Sequence, residues 1–146
     1  MRTIDRAVGA VLGSAVGDAL GAPFEFGLLG VFRERFPDGR GEMCGGGGWH
    51  PDDATEFNGA VWPCLGSAVW ALRTTASFEE ALAVAIDLGG DTDTVAAVTG
   101  LLAGAVHGAG AIPARWTDPL HVPLPGHGPR TLRSDDLRTL ATALIA

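Results

Sequence analysis

Lysine is absent from this chain: its ten basic residues are all arginines, and against seventeen acidic residues they leave a net charge of -7. With no concentrated basic stripe, the electrostatic footprint of a phosphate-backbone binder is missing, and nucleic acid is excluded as an expected partner. Cysteine is scarce. Cys44 and Cys64 are too few and too loosely spaced for a disulfide framework or a thiolate zinc site, so a reducing, cytoplasmic setting is expected. Long unbroken apolar runs are lacking too: Asp18 and Asp93 interrupt the two candidates, so no segment is expected to cross a bilayer. The first run has the composition of a weak signal peptide, but Asp18 and its glycines suit a buried helix better. No stretch alternates apolar and polar residues convincingly, which argues against a sheet. The glycine run at 45–48 lacks the Lys and Ser/Thr of a nucleotide-binding loop and follows no strand, so that motif is rejected.

What is present points to one all-α domain spanning residues 1–146, with 47% apolar residues to supply a core. Residues 4–21 carry apolar side chains at helical spacing, and Gly9, Gly13, Gly17 and Gly21 recur every fourth position on one face. Each interior glycine costs roughly 1 kcal/mol of helix propensity against alanine, so a close helix crossing is expected to offset it. Pro23 ends that helix. Residues 27–58 read as a Gly-rich loop with one short turn near 32–36.

A helix over 60–72 is expected to turn Val61, Leu65, Ala68, Val69 and Leu72 inward, with Pro63 in its first turn and Trp70 packed. Ser77 and Glu80 form a capping box for the next helix, which Gly89 and Gly90 stop. Another begins within 91–94 and runs to about 108, with a second ladder at Gly100, Gly104 and Gly108. The two ladders predict the central crossing. A helical turn at 112–116, a proline-rich loop at 119–129 and a last helix capped by Ser134 follow, with Leu137, Leu140, Ala141 and Leu144 facing inward.

Much of the negative charge sits at Asp18, Asp52, Asp53, Asp87, Asp91 and Asp93, where bound cations are expected to neutralise part of it. The turn Gly89-Gly90-Asp91-Thr92-Asp93-Thr94 concentrates two carboxylates and two hydroxyls, and Asp52-Asp53 offers a second acidic pair. Capping alone accounts for Asp91 or Asp93, but not readily for both together with the threonines. Asp52, Asp53, Asp91, Asp93 and Thr94 are oxygen donors of the kind that hard cations prefer, which makes magnesium the expected cofactor, as one or two ions, with manganese as the alternative. Clustered carboxylates repel one another, and a cation relieves that conflict. Glu25, between Phe24 and Phe26, is the preferred general base and Glu56 a further one, whereas His50 reads as an ordinary loop histidine. Such a site suits hydrolysis of a sugar or phosphate ester.

Residues 6–26 read Arg-Ala-Val-Gly-Ala-Val-Leu-Gly-Ser-Ala-Val-Gly-Asp-Ala-Leu-Gly-Ala-Pro-Phe-Glu-Phe, and residues 88–97 read Leu-Gly-Gly-Asp-Thr-Asp-Thr-Val-Ala-Ala. In this order the two blocks resemble the opening helix and the late metal motif of the ADP-ribosylglycohydrolase family, which includes the dinitrogenase reductase-activating glycohydrolases. The resemblance implies an all-helical fold and two magnesium ions, or manganese, that position ADP-ribose while its bond to a protein side chain or another acceptor is hydrolysed. By position it assigns Asp52, Asp53, Asp91, Asp93 and Thr94 to the metals; Glu25, Asp53 and Asp93 are the expected catalytic residues. Pro51 stands where the family carries a threonine, and Glu56-Phe57-Asn58 leads directly into a segment that resembles the family's late helices. The chain is therefore expected to lack the family's middle helices, and a homodimer or a partner subunit is expected to cover the surface they leave. The alternative function is a non-catalytic ADP-ribose-binding or structural remnant.

Overall fold

Two helices that touch backbone to backbone organise the molecule. The computed structural model describes residues 2–43, 61–124, 126 and 128–145. Among these residues the α-helices are α1 (Thr3–Gly21), α2 (Val31–Arg35), α3 (Val61–Thr74), α4 (Phe78–Asp87), α5 (Thr92–His107), α6 (Ala114–Thr117) and α7 (Ser134–Ala143). Strands β1 (His121–Pro123) and β2 (Thr131–Arg133) form a two-stranded antiparallel pair. The fold is all-α with this small hairpin appended.

Helices α1 and α5 cross antiparallel along the glycine faces. A methyl group added to Gly13 would lie 2.0 Å from the Gly100 carbonyl oxygen, and one added to Gly100 would lie 1.9 Å from that of Gly13. Gly9 meets Gly104 in the same way, Gly17 lies on Ala96, and Gly21 lies on Thr92. Gly108 closes this ladder, its carbonyl carbon lying 2.8 Å from where a methyl on Gly9 would stand. With φ 83° it terminates α5, and its N–H bonds the Gly104 carbonyl.

On one side of the crossing, Leu12, Val16 and Leu20 of α1 pack with Phe78, Leu82 and Ile86 of α4, together with Phe24, Phe32 and Trp116. The Trp116 indole is fully buried and donates to the Gly41 carbonyl at 3.1 Å, which satisfies its one polar atom. A smaller cluster of Cys64, Ala71, Ala85 and Val95 attaches α3 to α4 and α5. Helix α4 starts where its capping signal lies: Ser77 Oγ accepts the Glu80 N–H at 3.1 Å, and Glu80 reaches back to the Ala76 N–H at 3.0 Å.

Five expectations need correction. Ser134 is the first residue of α7 and not its cap: Arg133 holds the N-cap position, and its N–H donates to the Asp136 carboxylate at 2.8 Å. The hairpin falls partly in the segment read as a proline loop, because strands of three residues, one of them Pro123, are too short to show alternation. Helix α3 turns Cys64, Ala68 and Ala71 inward, while Leu65 and Val69 are exposed and Trp70 is 48% exposed. Close packing on α5 selects small side chains, so the period of the large ones marks the wrong face. In α7 Ala141 is buried and Leu137 half-buried, but Leu140 and Leu144 are exposed. Asp18 does not break the first apolar run: by length and composition Thr3–Phe24 could cross a membrane, with an 18-residue window of mean hydropathy 1.4, and half of that window is buried inside the fold, as in the core helix of a folded domain.

Candidate functional site

The site lies where the carboxy-terminal end of α1 meets the amino-terminal end of α5. Helix α4 ends at Asp87, and Gly89 and Gly90 then adopt φ 74° and 73°, a region open to glycine at little cost. Gly89 has a second constraint, since a β-carbon there would lie 2.6 Å from the Gly27 carbonyl oxygen. The sharp turn brings Asp91 to the N-cap of α5. Its carboxylate accepts the Thr94 N–H at 3.3 Å, and Asp93 accepts the same N–H at 2.7 Å.

Glu25 arrives from the other end of the sequence. The 3-10 turn Ala22–Phe24 contains Pro23 and ends α1, and Phe26 follows with φ 60°. Phe26 N–H donates to the Gly90 carbonyl at 2.6 Å, and Gly90 N–H donates to the Gly27 carbonyl at 3.1 Å. This bridge sets Glu25 against the acidic turn, and Glu25, Asp91 and Asp93 each present an oxygen within 4.8 Å of the others, all three half-buried. Thr92 faces the opposite way: its buried hydroxyl donates to the Gly21 carbonyl at 2.8 Å, tying α1 to α5. It is therefore a structural tie and not one of the oxygens turned toward the carboxylates.

The electrostatics follow from this crowding. The Asp93 carboxyl is pushed up to about 6, chiefly by burial, then by its hydrogen bond with Asp91 and the negative charges of Glu25 and Asp91, against the lowering effect of the Thr94 N–H. Burial also raises the Cys64 thiol, and the charge of Asp91 adds to it; Cys64 Sγ lies 3.7 Å from the Thr94 carbonyl oxygen. Three carboxylates, with no imidazole or thiolate in the group, form a donor set that fits a hard divalent cation.

Of the residues singled out in the sequence, Glu25, Asp91 and Asp93 come together, and Thr94 joins them through its backbone N–H. Asp52 and Asp53, with His50 and Glu56, lie outside the described residues. Asp87, grouped by charge with the cation ligands, instead pairs with Arg33. Asp18 lines a groove between α1 and α5 with Ala97 and Leu101, and burial raises its carboxyl.

The sequence model of the ADP-ribosylglycohydrolase family matches residues 1–58 and 45–146. The chain belongs to that family. An ADP-ribosylarginine hydrolase Tri1 of Serratia proteamaculans (strain 568) is 43% identical to this family member over 68 residues, which are 47% of this chain and 19% of that protein. A protein of the same name from Pseudomonas putida (strain GB-1) is 36% identical over 66 residues, 45% of this chain and 18% of the relative. The matches thus span about a fifth of these relatives' length. A solved structure described as an ADP-ribosylglycohydrolase-related protein complex shares the fold of this family member at a TM-score of 0.69 and 22% identity, over 97% of each chain.

Proposed function

We propose that this family member hydrolyses the bond joining ADP-ribose to a protein side chain or related acceptor, assisted by magnesium or manganese at Glu25, Asp91 and Asp93. The observation that carries this reading is the convergence of three half-buried carboxylates from segments 66 residues apart, Glu25 and Asp91, at one end of the glycine crossing. The names of the two relatives support arginine as the modified residue. Asp52 and Asp53 are proposed as donors for the same ion or a second one, and Thr94 as a further oxygen ligand.

When bound, the cation supplies Lewis-acid polarisation and a positive charge against which ribose hydroxyls orient. The protein's own groups supply the rest. Glu25 takes one proton of the attacking water as its oxygen adds to the anomeric carbon; the bond to the acceptor breaks with its electron pair left on the acceptor atom, which takes up a proton from solvent, so that water is divided between the two products. Asp93 and Asp91 face the positive charge that develops at that carbon.

The test is titration of metal-free protein with magnesium, then with ADP-ribose, followed by turnover of an ADP-ribosylated peptide. Release of ADP-ribose by the parent chain and its loss in Asp93→Ala are expected; equal release by both would sink the reading. The alternative is a non-catalytic ADP-ribose-binding or structural member of the family: binding without release would establish the former, and no binding of either ligand by the folded chain the latter. We also propose a cytoplasmic setting, which the free, buried thiol of Cys64 supports. A further subunit is proposed as well, as a homodimer or a partner, supported by the exposed apolar side chains of α3 and by the description of the similar solved chain as a complex.

A further inference from the structure

Asp87 is not one of the clustered carboxylates, yet it is only 8% exposed. It is the last residue of α4, four positions before Asp91. Its Oδ1 accepts the backbone N–H of Arg33 at 2.8 Å, its second oxygen pairs with the Arg33 guanidinium, and its carbonyl accepts the Gly30 N–H at 2.7 Å. Arg33 is the third residue of α2. The N-cap residue of that helix, Gly30, has no side chain to accept an N–H, so the cap comes from Asp87 across the fold.

Residues 25–33 and 87–93 therefore run side by side in opposite directions, joined at two points. Gly27 bridges Gly90, and Gly30 with Arg33 holds Asp87. The same register continues to Glu25 opposite Asp91 and Asp93. Beside the glycine bridge and the Gly30 backbone bond, the Asp87 carboxylate is the side-chain tie that fixes α2, at the far end of the strap bearing Glu25, to the end of α4.

We propose that Asp87 is a positioning residue, which sets the distance of Glu25 from Asp91 and Asp93 by capping α2 and pairing with Arg33. The inference rests on the reading of Glu25, Asp91 and Asp93 as a cation site. Groups that orient metal ligands without touching the metal typically contribute about 10-fold to 100-fold to affinity.

The experiment titrates the metal-free full chain with magnesium and with manganese in calorimetry and follows thermal unfolding of the same samples. Asp87→Ala loses both side-chain contacts with Arg33, keeps the backbone bond to Gly30, and is expected to bind about tenfold more weakly or worse. Asp87→Asn keeps the acceptor for the Arg33 N–H but loses the ion pair, and is expected to bind about threefold more weakly than the parent, a partial rescue that separates positioning from bulk stability. Folded Asp87→Ala with parental affinity and only a lower unfolding midpoint overturns the proposal. Should Asp87→Ala not fold, Arg33→Ala carries the test at a side chain 61% exposed: binding about threefold weaker supports the tie, and parental binding overturns it. A parent chain that binds neither cation overturns the cation reading itself, and this inference with it.

Discussion

Thr92 and Asp93 are neighbours with opposite duties, and each yields a separate prediction. The Thr92 hydroxyl is fully buried and donates to the Gly21 carbonyl. Replacing it with the isosteric valine strands that carbonyl, at a cost of about 1–3 kcal/mol, whereas serine keeps the bond. Urea unfolding of Thr92→Val and Thr92→Ser should show the larger loss in the valine variant, and equal losses would mean that the methyl group matters more than the hydroxyl. Asp93 acts through its charge. Its carboxyl rises from 3.8 in the unfolded chain to about 6 in the folded one, so folding takes up a proton between these values. The stability from this group is fully present below the unfolded value and is lost as pH rises through about 6. In chelator, the unfolding midpoint of the parent should fall relative to that of Asp93→Asn as pH rises from 5 to about 7. Parallel pH profiles would show that the crowding of Asp93 has no energetic weight. Asp91 and Asp93 are legible in the sequence because they lie together in one turn. The Asp87 tie to Arg33 is not, because 54 residues separate the partners and no local pattern records such a contact.

At the scale of elements, the glycine crossing is the part of the fold that the sequence states most openly. A four-residue glycine repeat costs helix propensity at every step, and only close approach of another backbone offsets it. Two glycines on different helices therefore predict opposite responses to the same substitution. Gly13→Ala places a methyl against the Gly100 carbonyl and is expected to destabilise by about 1–3 kcal/mol, the range for overpacking, despite the better propensity of alanine. Gly66→Ala on α3 meets nothing within 4 Å and is expected to stabilise by about 0.5–1 kcal/mol. Chemical denaturation of the two variants checks both signs, and a stabilised Gly13→Ala would mean that the helices are not in contact there. The rotation of α3 is illegible for a related reason. Its inner face is made of Cys64, Ala68 and Ala71, small residues that a search for large apolar side chains passes over. The β1–β2 hairpin escapes because its strands are three residues long.

At the scale of the whole molecule, the apolar surface of α3 bears on the proposed assembly. Leu65, Val69 and Trp70 are 40%, 39% and 48% exposed, and Trp70 borders a groove with Gly66, Ser67 and Leu88. Leu88 immediately precedes the glycine turn that presents Asp91, so a subunit seated on this face would also bear on the site. Large exposed apolar side chains that lie together, unlike scattered ones, mark an interaction surface. A half-exposed tryptophan is a common anchor of such a surface, because its area is large and its loss of conformational freedom small. The proposed association should therefore depend on this ring. Sedimentation of the full chain at micromolar concentration is expected to show a species heavier than the 15.0 kDa monomer, and Trp70→Arg should shift it toward the monomer. Binding of magnesium by the dissociated variant would place the acidic cluster within one chain, whereas its loss would make the second subunit part of the site. A parent chain that sediments as a monomer throughout would remove the homodimer and leave a different protein as the occupant of this face.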